Sequence, residues 1–142
     1  MAEEPKWVGA SVVLAIHDEQ IAEHGGGAGV RDETLLESAL ARPKNLFGYE
    51  AAGLSQLAGA YAFGICKNHP FVDGNKRTAL LVVRSLLNLN DVEFSPPKQE
   101  IPDAMVKLAS DEWSEEMFKD WVLRNSILRV LRMNVTNQPK PQ

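Results

Sequence analysis

Apolar residues recur three or four apart over most of the chain and are separated by short polar breaks, the pattern of amphipathic helices joined by loops. From Val8 to about Glu23 the spacing of Val8, Val12 and Ile16 predicts a first helix, with Val13 and Leu14 beside that stripe. Gly25-Gly26-Gly27-Ala28-Gly29 stops it and opens a turn. Asp32 suits the N-cap of a second helix, with Glu33 in its first turn and Leu35, Leu36, Ala39 and Leu40 as its stripe. Pro43 is expected to end that helix, because proline restricts the residue before it. Arg42 to Gly53 then mixes cations, an amide and aromatics without periodicity, and reads as a loop or short hairpin. A third helix is predicted from Leu54 to Asn68, with Leu57, Tyr61 and Ile65 along one face. Gly59, Ala60 and Gly64 leave room there for a close neighbour.

After a polar break, Ala79 to Val83 is apolar on every side. Five such residues could form a strand, but Arg84 to Leu87 extend the pattern past strand length without a turn signal. A buried central helix from Lys76 to about Leu89 follows, roughly 20 Å long. Val92 to Phe94 is briefly extended, and Ser95-Pro96-Pro97 opens a fifth helix striped by Ile101, Ala104, Met105 and Leu108. Ser114 caps a sixth, with Glu115 and Glu116 at its positive end and Met117, Phe118, Trp121, Val122 and Leu128 facing inward. The polar stretch from Asn134 to Gln142 is expected to be disordered. The fold class is therefore all-α: one domain over residues 1–133, a compact bundle of about six helices with short connections.

Composition narrows the class without changing the fold. The 142 residues suit one domain, and 44% apolar with 24% charged residues is ordinary for a soluble globule. A net charge of −4 argues against a general nucleic-acid binder. Cys66 is the only cysteine, so no internal disulfide forms, and it is expected to pack as a small apolar residue. The first residues lack the features of a secretory signal and no apolar run is long enough to span a bilayer, so the expected compartment is the cytoplasm. Three dispersed histidines make no metal-binding pattern. His17 and Asp18 are adjacent, about 100° apart on a helix, and read as surface or hydrogen-bonded groups. The three tryptophans, Trp7, Trp113 and Trp121, read as packing residues.

The polar break is the exception to this ordinary pattern. His69-Pro70-Phe71-Val72-Asp73-Gly74-Asn75-Lys76-Arg77-Thr78 places an imidazole, a carboxylate, a glycine, an amide and two cations between two helices. The first turn of the second helix has free N–H groups and a partial positive charge, which favour an anion. Gly74 lets a phosphate approach the backbone, Asn75 can offer its amide, and Lys76 and Arg77 add charge. Two cations at the positive end of a helix conflict with its dipole unless an anion sits there. Asp73 is a hard oxygen ligand suited to Mg²⁺ shared with phosphates. His69 can take the proton of a hydroxyl nucleophile. As a simple polar turn, Asp73 would bond the backbone, Gly74 would supply a left-handed residue, and Lys76 and Arg77 would be solvated; that reading explains each residue alone and not the combination. Phosphate-group transfer, which rests on positioning and charge stabilisation, needs all of it.

At these residues the sequence resembles the Fic/Doc superfamily. HPFVDGNKRTAL is similar to its signature, and Ile16-His17-Asp18, the glycine run and the segment from Asp32 to Tyr49 extend the likeness upstream. Lys76 stands where most Fic domains have a second glycine, and Leu80 where they have a second arginine; these departures are similar to the death-on-curing (Doc) branch of toxins. The resemblance implies an all-helical Fic fold, His69 as catalytic base, Asp73 as metal ligand, and Gly74, Asn75, Lys76 and Arg77 as the phosphate-binding run. It implies ATP as substrate with Mg²⁺, phosphate transfer to elongation factor Tu, arrested translation, and an antitoxin acting in trans, with neither a membrane nor direct nucleic-acid binding. AMP transfer to a protein hydroxyl, which Gly74 keeps open, and a catalytically silent binding module are the alternatives. In the resemblance the loop carrying Lys44, Asn45 and Tyr49 corresponds to a flap that aligns the target by strand-like pairing; these three residues either contact the target or simply solvate a loop. The inhibitory Ser/Thr-xxx-Glu-Gly/Asn string of self-restrained Fic domains is absent from this sequence.

Overall fold

A computed structural model describes residues 3–129. Six α-helices follow in order: α1 (Ala10–His24), α2 (Glu33–Glu50), α3 (Leu54–Asn68), α4 (Asn75–Leu89), α5 (Ile101–Ala109) and α6 (Glu115–Arg124). Two three-residue strands, β1 (Val92–Phe94) and β2 (Ser126–Leu128), pair antiparallel with Val92 opposite Leu128. The all-α bundle predicted from the sequence is what forms. The expected disorder from Asn134 onward falls outside the described residues.

Helix α3 lies at the centre, against α2, α4, α5 and α6. Leu57, Tyr61 and Ile65 are fully buried along its predicted face. Gly64 brings it close to α2, where a Cβ would stand 3.0 Å from the Ala39 Cα. The Tyr61 hydroxyl donates to the Val8 carbonyl at 3.1 Å and pins the segment before α1 to the core. Two predicted caps are present: Asp32 Oδ1 accepts from the Leu35 N–H at 2.9 Å, and Ser114 Oγ accepts from the Met117 N–H at 3.2 Å. The tryptophans pack as expected, Trp7 edge-on to Phe47 and Trp121 against Phe94, Trp113 and Phe118.

Several expectations are corrected. Pro43 does not end α2, which runs on to Glu50. The proline forfeits one helical N–H, but its ring is buried and Leu46 and Phe47 continue the stripe against the core. Residues 42–50 are therefore helix and not a loop, and Lys44, Asn45 and Tyr49 are exposed on it. Their backbone groups serve helical bonds, so this segment offers no strand edge to a target. The buried face of α1 is Val13, His17 and Gln20, while Val12 is 46% exposed; Val8 lies before the helix. On α6, Phe118, Trp121 and Val122 face inward, but Met117 is exposed. Leu128 leaves the helix altogether and is exposed in β2, because pairing with β1 competes with a further helical turn.

Candidate active site

The stretch from His69 to Thr78 joins the C-terminus of α3 to the N-terminus of α4. His69 ends α3 in the left-handed conformation at φ 50°, uncommon for a residue with a side chain. Its imidazole is exposed. Phe71 is fully buried and anchors the loop, as its position in the sequence suggested. Gly74, at φ 77°, turns the chain into α4. The first bond across that turn runs from the Thr78 N–H to the Gly74 carbonyl at 3.0 Å. The N–H groups of Asn75, Lys76 and Arg77 thus have no intrahelical partner.

Five carbonyls of the loop are held from behind. Arg31 donates from Nη2 to the Asn68 carbonyl at 2.9 Å and from Nε to the His69 carbonyl at 2.7 Å. The N–H groups of Arg31 and Asp32 reach the Pro70 carbonyl at 2.6 and 3.1 Å. Asn75 Nδ2 donates to the Phe71 carbonyl at 3.0 Å, and Asn75 Oδ1 accepts from the Phe71 N–H at 3.1 Å. His17 Nε2 donates to the Asp73 carbonyl at 2.8 Å, because a carbonyl only accepts; its tautomer therefore carries the proton on Nε2. The His17 ring, 1% exposed, also lies flat on Phe71 with centroids 3.9 Å apart. The Val72 N–H donates to the Gly29 carbonyl at 3.1 Å, and Val30 bridges to Phe71. The glycine run is thus the back wall of the loop. A Cβ at Gly26, which has φ 114°, would stand 2.5 Å from Asp73 Oδ2.

On the front, His69, Asp73, Gly74, Asn75, Lys76 and Arg77 line one cavity of about 240 Å³, with Cys66 and Ala109. All six residues singled out in the loop therefore meet at one place. Asn75 meets it differently from the expectation. Its side chain staples the backbone of Phe71, which leaves only its backbone N–H at the start of α4 without a partner in the helix. Asp73 is exposed, with Oδ1 accepting from the Gly74 N–H at 2.8 Å. Lys76 and Arg77 are exposed and make no ion pair among the described residues. Burial pushes the Cys66 thiol up to about 11, with Lys76 and Lys67 pulling weakly the other way. Among the described residues no group of three or more His, Cys, Asp or Glu side chains could enclose a metal. A lone exposed carboxylate instead suits Mg²⁺, which keeps several waters and shares its shell with phosphates.

Sequence reading missed His17, Arg31 and the glycine run as parts of the site. Arg31 lies 37 and 38 residues from the carbonyls that it holds, and nothing in its local pattern marks it. Lys44, Asn45 and Tyr49, expected as a target-docking loop, lie on α2 and do not line this cavity.

The bundle presents a histidine, a carboxylate and an N-terminal helical turn bearing two cations at one cavity. A protein-family model described as Fic/DOC family matches residues 7–87, and the chain belongs to that family. It is 32% identical over 114 residues to "Protein kinase doc" of Escherichia phage P1, covering 79% of this chain and 89% of that protein. It is also 40% identical over 73 residues to "Toxin Doc" of Mycolicibacterium smegmatis, covering 50% of this chain and 56% of that one. Among the described residues no helix is long and apolar enough to cross a membrane.

Proposed function

We propose that this chain is a Doc-type toxin that transfers the γ-phosphate of ATP to a hydroxyl of a protein. The observation that carries the reading is the common cavity, which His69 lines together with the N-terminal turn of α4 and its Lys76 and Arg77. The likeness to a relative named a protein kinase, over most of both chains, supports the choice of group. His69 takes the proton of the target hydroxyl as its oxygen attacks the γ-phosphorus; the bond from that phosphorus to the bridging oxygen breaks, and ADP leaves. Gly74 and the N–H groups of Asn75, Lys76 and Arg77 cradle the phosphates, and the two cations balance the charge on them. Mg²⁺, held by Asp73, would neutralise phosphate oxygens there. Leu80 places an apolar side chain where a second arginine would otherwise extend the cradle.

The target is a translation factor similar to elongation factor Tu, and the site of action is the cytoplasm. The inhibitor is a separate antitoxin, in keeping with a relative named a toxin and with the absence of an inhibitory string in this sequence. Incubation with α- or γ-labelled ATP and a bacterial extract tests the reading. Label is expected on one protein from the γ-phosphate only, and to vanish in His69→Ala. Transfer of α-label would overturn phosphate transfer in favour of AMP transfer.

A further inference from the structure

His69 holds a backbone conformation that its own sequence context disfavours. Its φ is 50° and its ψ 55°, in the left-handed region, and Pro70 follows it. A residue with a side chain seldom adopts that region. A following proline also disfavours the right-handed helical region and pushes the residue before it toward extended backbone, with φ about −120°. That change would turn the chain about 170° around the His69 N–Cα bond. The imidazole would then leave the side on which it lines the cavity. Some other group of the fold must choose the left-handed conformer.

We propose that Arg31 makes that choice and is the positioning residue of His69. The inference rests on the phosphate-transfer reading above. The guanidinium spans two successive carbonyls, Nη2 donating to Asn68 at 2.9 Å and Nε to His69 at 2.7 Å. His69 is the residue between those two carbonyls. Successive carbonyls point the same way when the residue between them is helical, of either hand, and oppositely when it is extended. One planar fork therefore takes both carbonyls with His69 left-handed and only one with His69 extended. The cation also suits the negative end of α3. Arg31 is exposed and has no carboxylate partner among the described residues, so these carbonyls are what its side chain holds. It does not line the cavity, and so acts through His69 and not on the phosphates. The docking of α2 on the loop does not depend on the guanidinium. The N–H groups of Arg31 and Asp32 reach the Pro70 carbonyl, and Asn68 Nδ2 donates to the Leu35 carbonyl at 2.9 Å. Truncating Arg31 thus leaves the loop attached and releases only the backbone of His69.

The full-length parent, Arg31→Ala and Arg31→Lys are compared with γ-labelled ATP and a bacterial extract, with circular dichroism as the check on folding. The rate at saturating ATP should fall about 100-fold in Arg31→Ala, the scale for a misplaced reacting group. The KM for ATP should stay within about two-fold, because the cradle on α4 shares no partner with Arg31. Arg31→Lys keeps the charge but loses the fork, and its rate should fall about ten-fold. Nuclear magnetic resonance reads the backbone directly: the amide-to-α-proton coupling of His69, which follows φ, should change in Arg31→Ala. An unchanged coupling would overturn the inference whatever the kinetics. A parental rate in Arg31→Ala would overturn it as well, and a parental rate in Arg31→Lys would show that charge and not the fork acts. A raised KM for ATP with the rate intact would assign Arg31 to nucleotide binding instead. A parent chain that transfers no label would remove the phosphate-transfer reading, and the coupling would still decide whether Arg31 sets the conformation of His69.

Discussion

His17 holds Asp73 by its backbone: the imidazole Nε2–H meets the Asp73 carbonyl at 2.8 Å while the ring face lies on Phe71. A residue of α1 thereby fixes the one carboxylate of the cavity from 56 positions away. His17→Phe keeps a ring against Phe71 but deletes the donor. The unpaired carbonyl should cost about 1–3 kcal/mol of stability. With Asp73 released, half-maximal Mg²⁺ for phosphate transfer should rise about ten-fold, the usual scale for losing a partner behind a metal ligand. Thermal unfolding and a Mg²⁺ titration measure the two effects; an unchanged Mg²⁺ requirement would reduce His17 to a core residue.

Asn75 ties the loop from the other side. Both bonds go to Phe71, which is fully buried, so Asn75→Ala strands an N–H and a carbonyl away from water. The expected loss is about 2–4 kcal/mol, from two unpaired groups. Asn75→Asp retains the acceptor but sets a buried carboxylate oxygen against the Phe71 carbonyl, and should lose at least as much. Urea unfolding at neutral pH ranks the two. Equal stability of the alanine variant and the parent chain would mean that the staple is not needed.

The helices were legible because their stripes and caps are local: Asp32 and Ser114 cap where their residue type and position predict. The front of the site was legible for the same reason, since Asp73 to Arg77 are five consecutive residues on one turn. The back of the site was not. His17 and Arg31 act on backbone carbonyls, which carry no sequence signature, and they reach them only after α1 packs on α4. Pro43 misled because its local cost is readable and the burial that outweighs it is not. Asn75 misled because its amide looks the same in a sequence whether it binds phosphate or a neighbouring peptide.

Lys76 and Arg77 separate binding from folding. Each is exposed, unpaired among the described residues, and set at the positive end of α4, where a cation opposes the helix dipole. Lys76→Ala and Arg77→Ala should therefore leave the apo chain unchanged or raise its stability by about 0.3–0.5 kcal/mol. ATP affinity should fall about ten-fold in each, the loss of one charged contact to phosphate. Differential scanning fluorimetry with and without ATP reads both signs in one experiment. A variant that lost stability in the absence of nucleotide would show that the cation serves the fold.

Cys66 reports on the same cavity through its thiol. Burial raises its pKa from an ordinary 9.0 to about 11, outweighing the pull of Lys76 and Lys67. The neutral thiol is favoured by folding, so its contribution to stability is fully present below about pH 9 and is lost as pH rises through about 11. The loss at that limit is about 2–3 kcal/mol. Tyr61, raised mainly by burial against the lowering effect of its bond to Val8, adds a decline of the same sign at higher pH. Cys66→Ala should make the alkaline fall in stability shallower without abolishing it. On the proposed reading, nucleotide phosphate beside Lys76 would cancel the cation that lowers the thiol pKa and would cover the cavity wall. Alkylation of Cys66 by iodoacetamide at pH 8, followed by mass spectrometry, should therefore be slow in the native chain and slower still with ATP and Mg²⁺. If nucleotide left that rate unchanged, phosphate would not be binding on the side of Lys76 that faces Cys66.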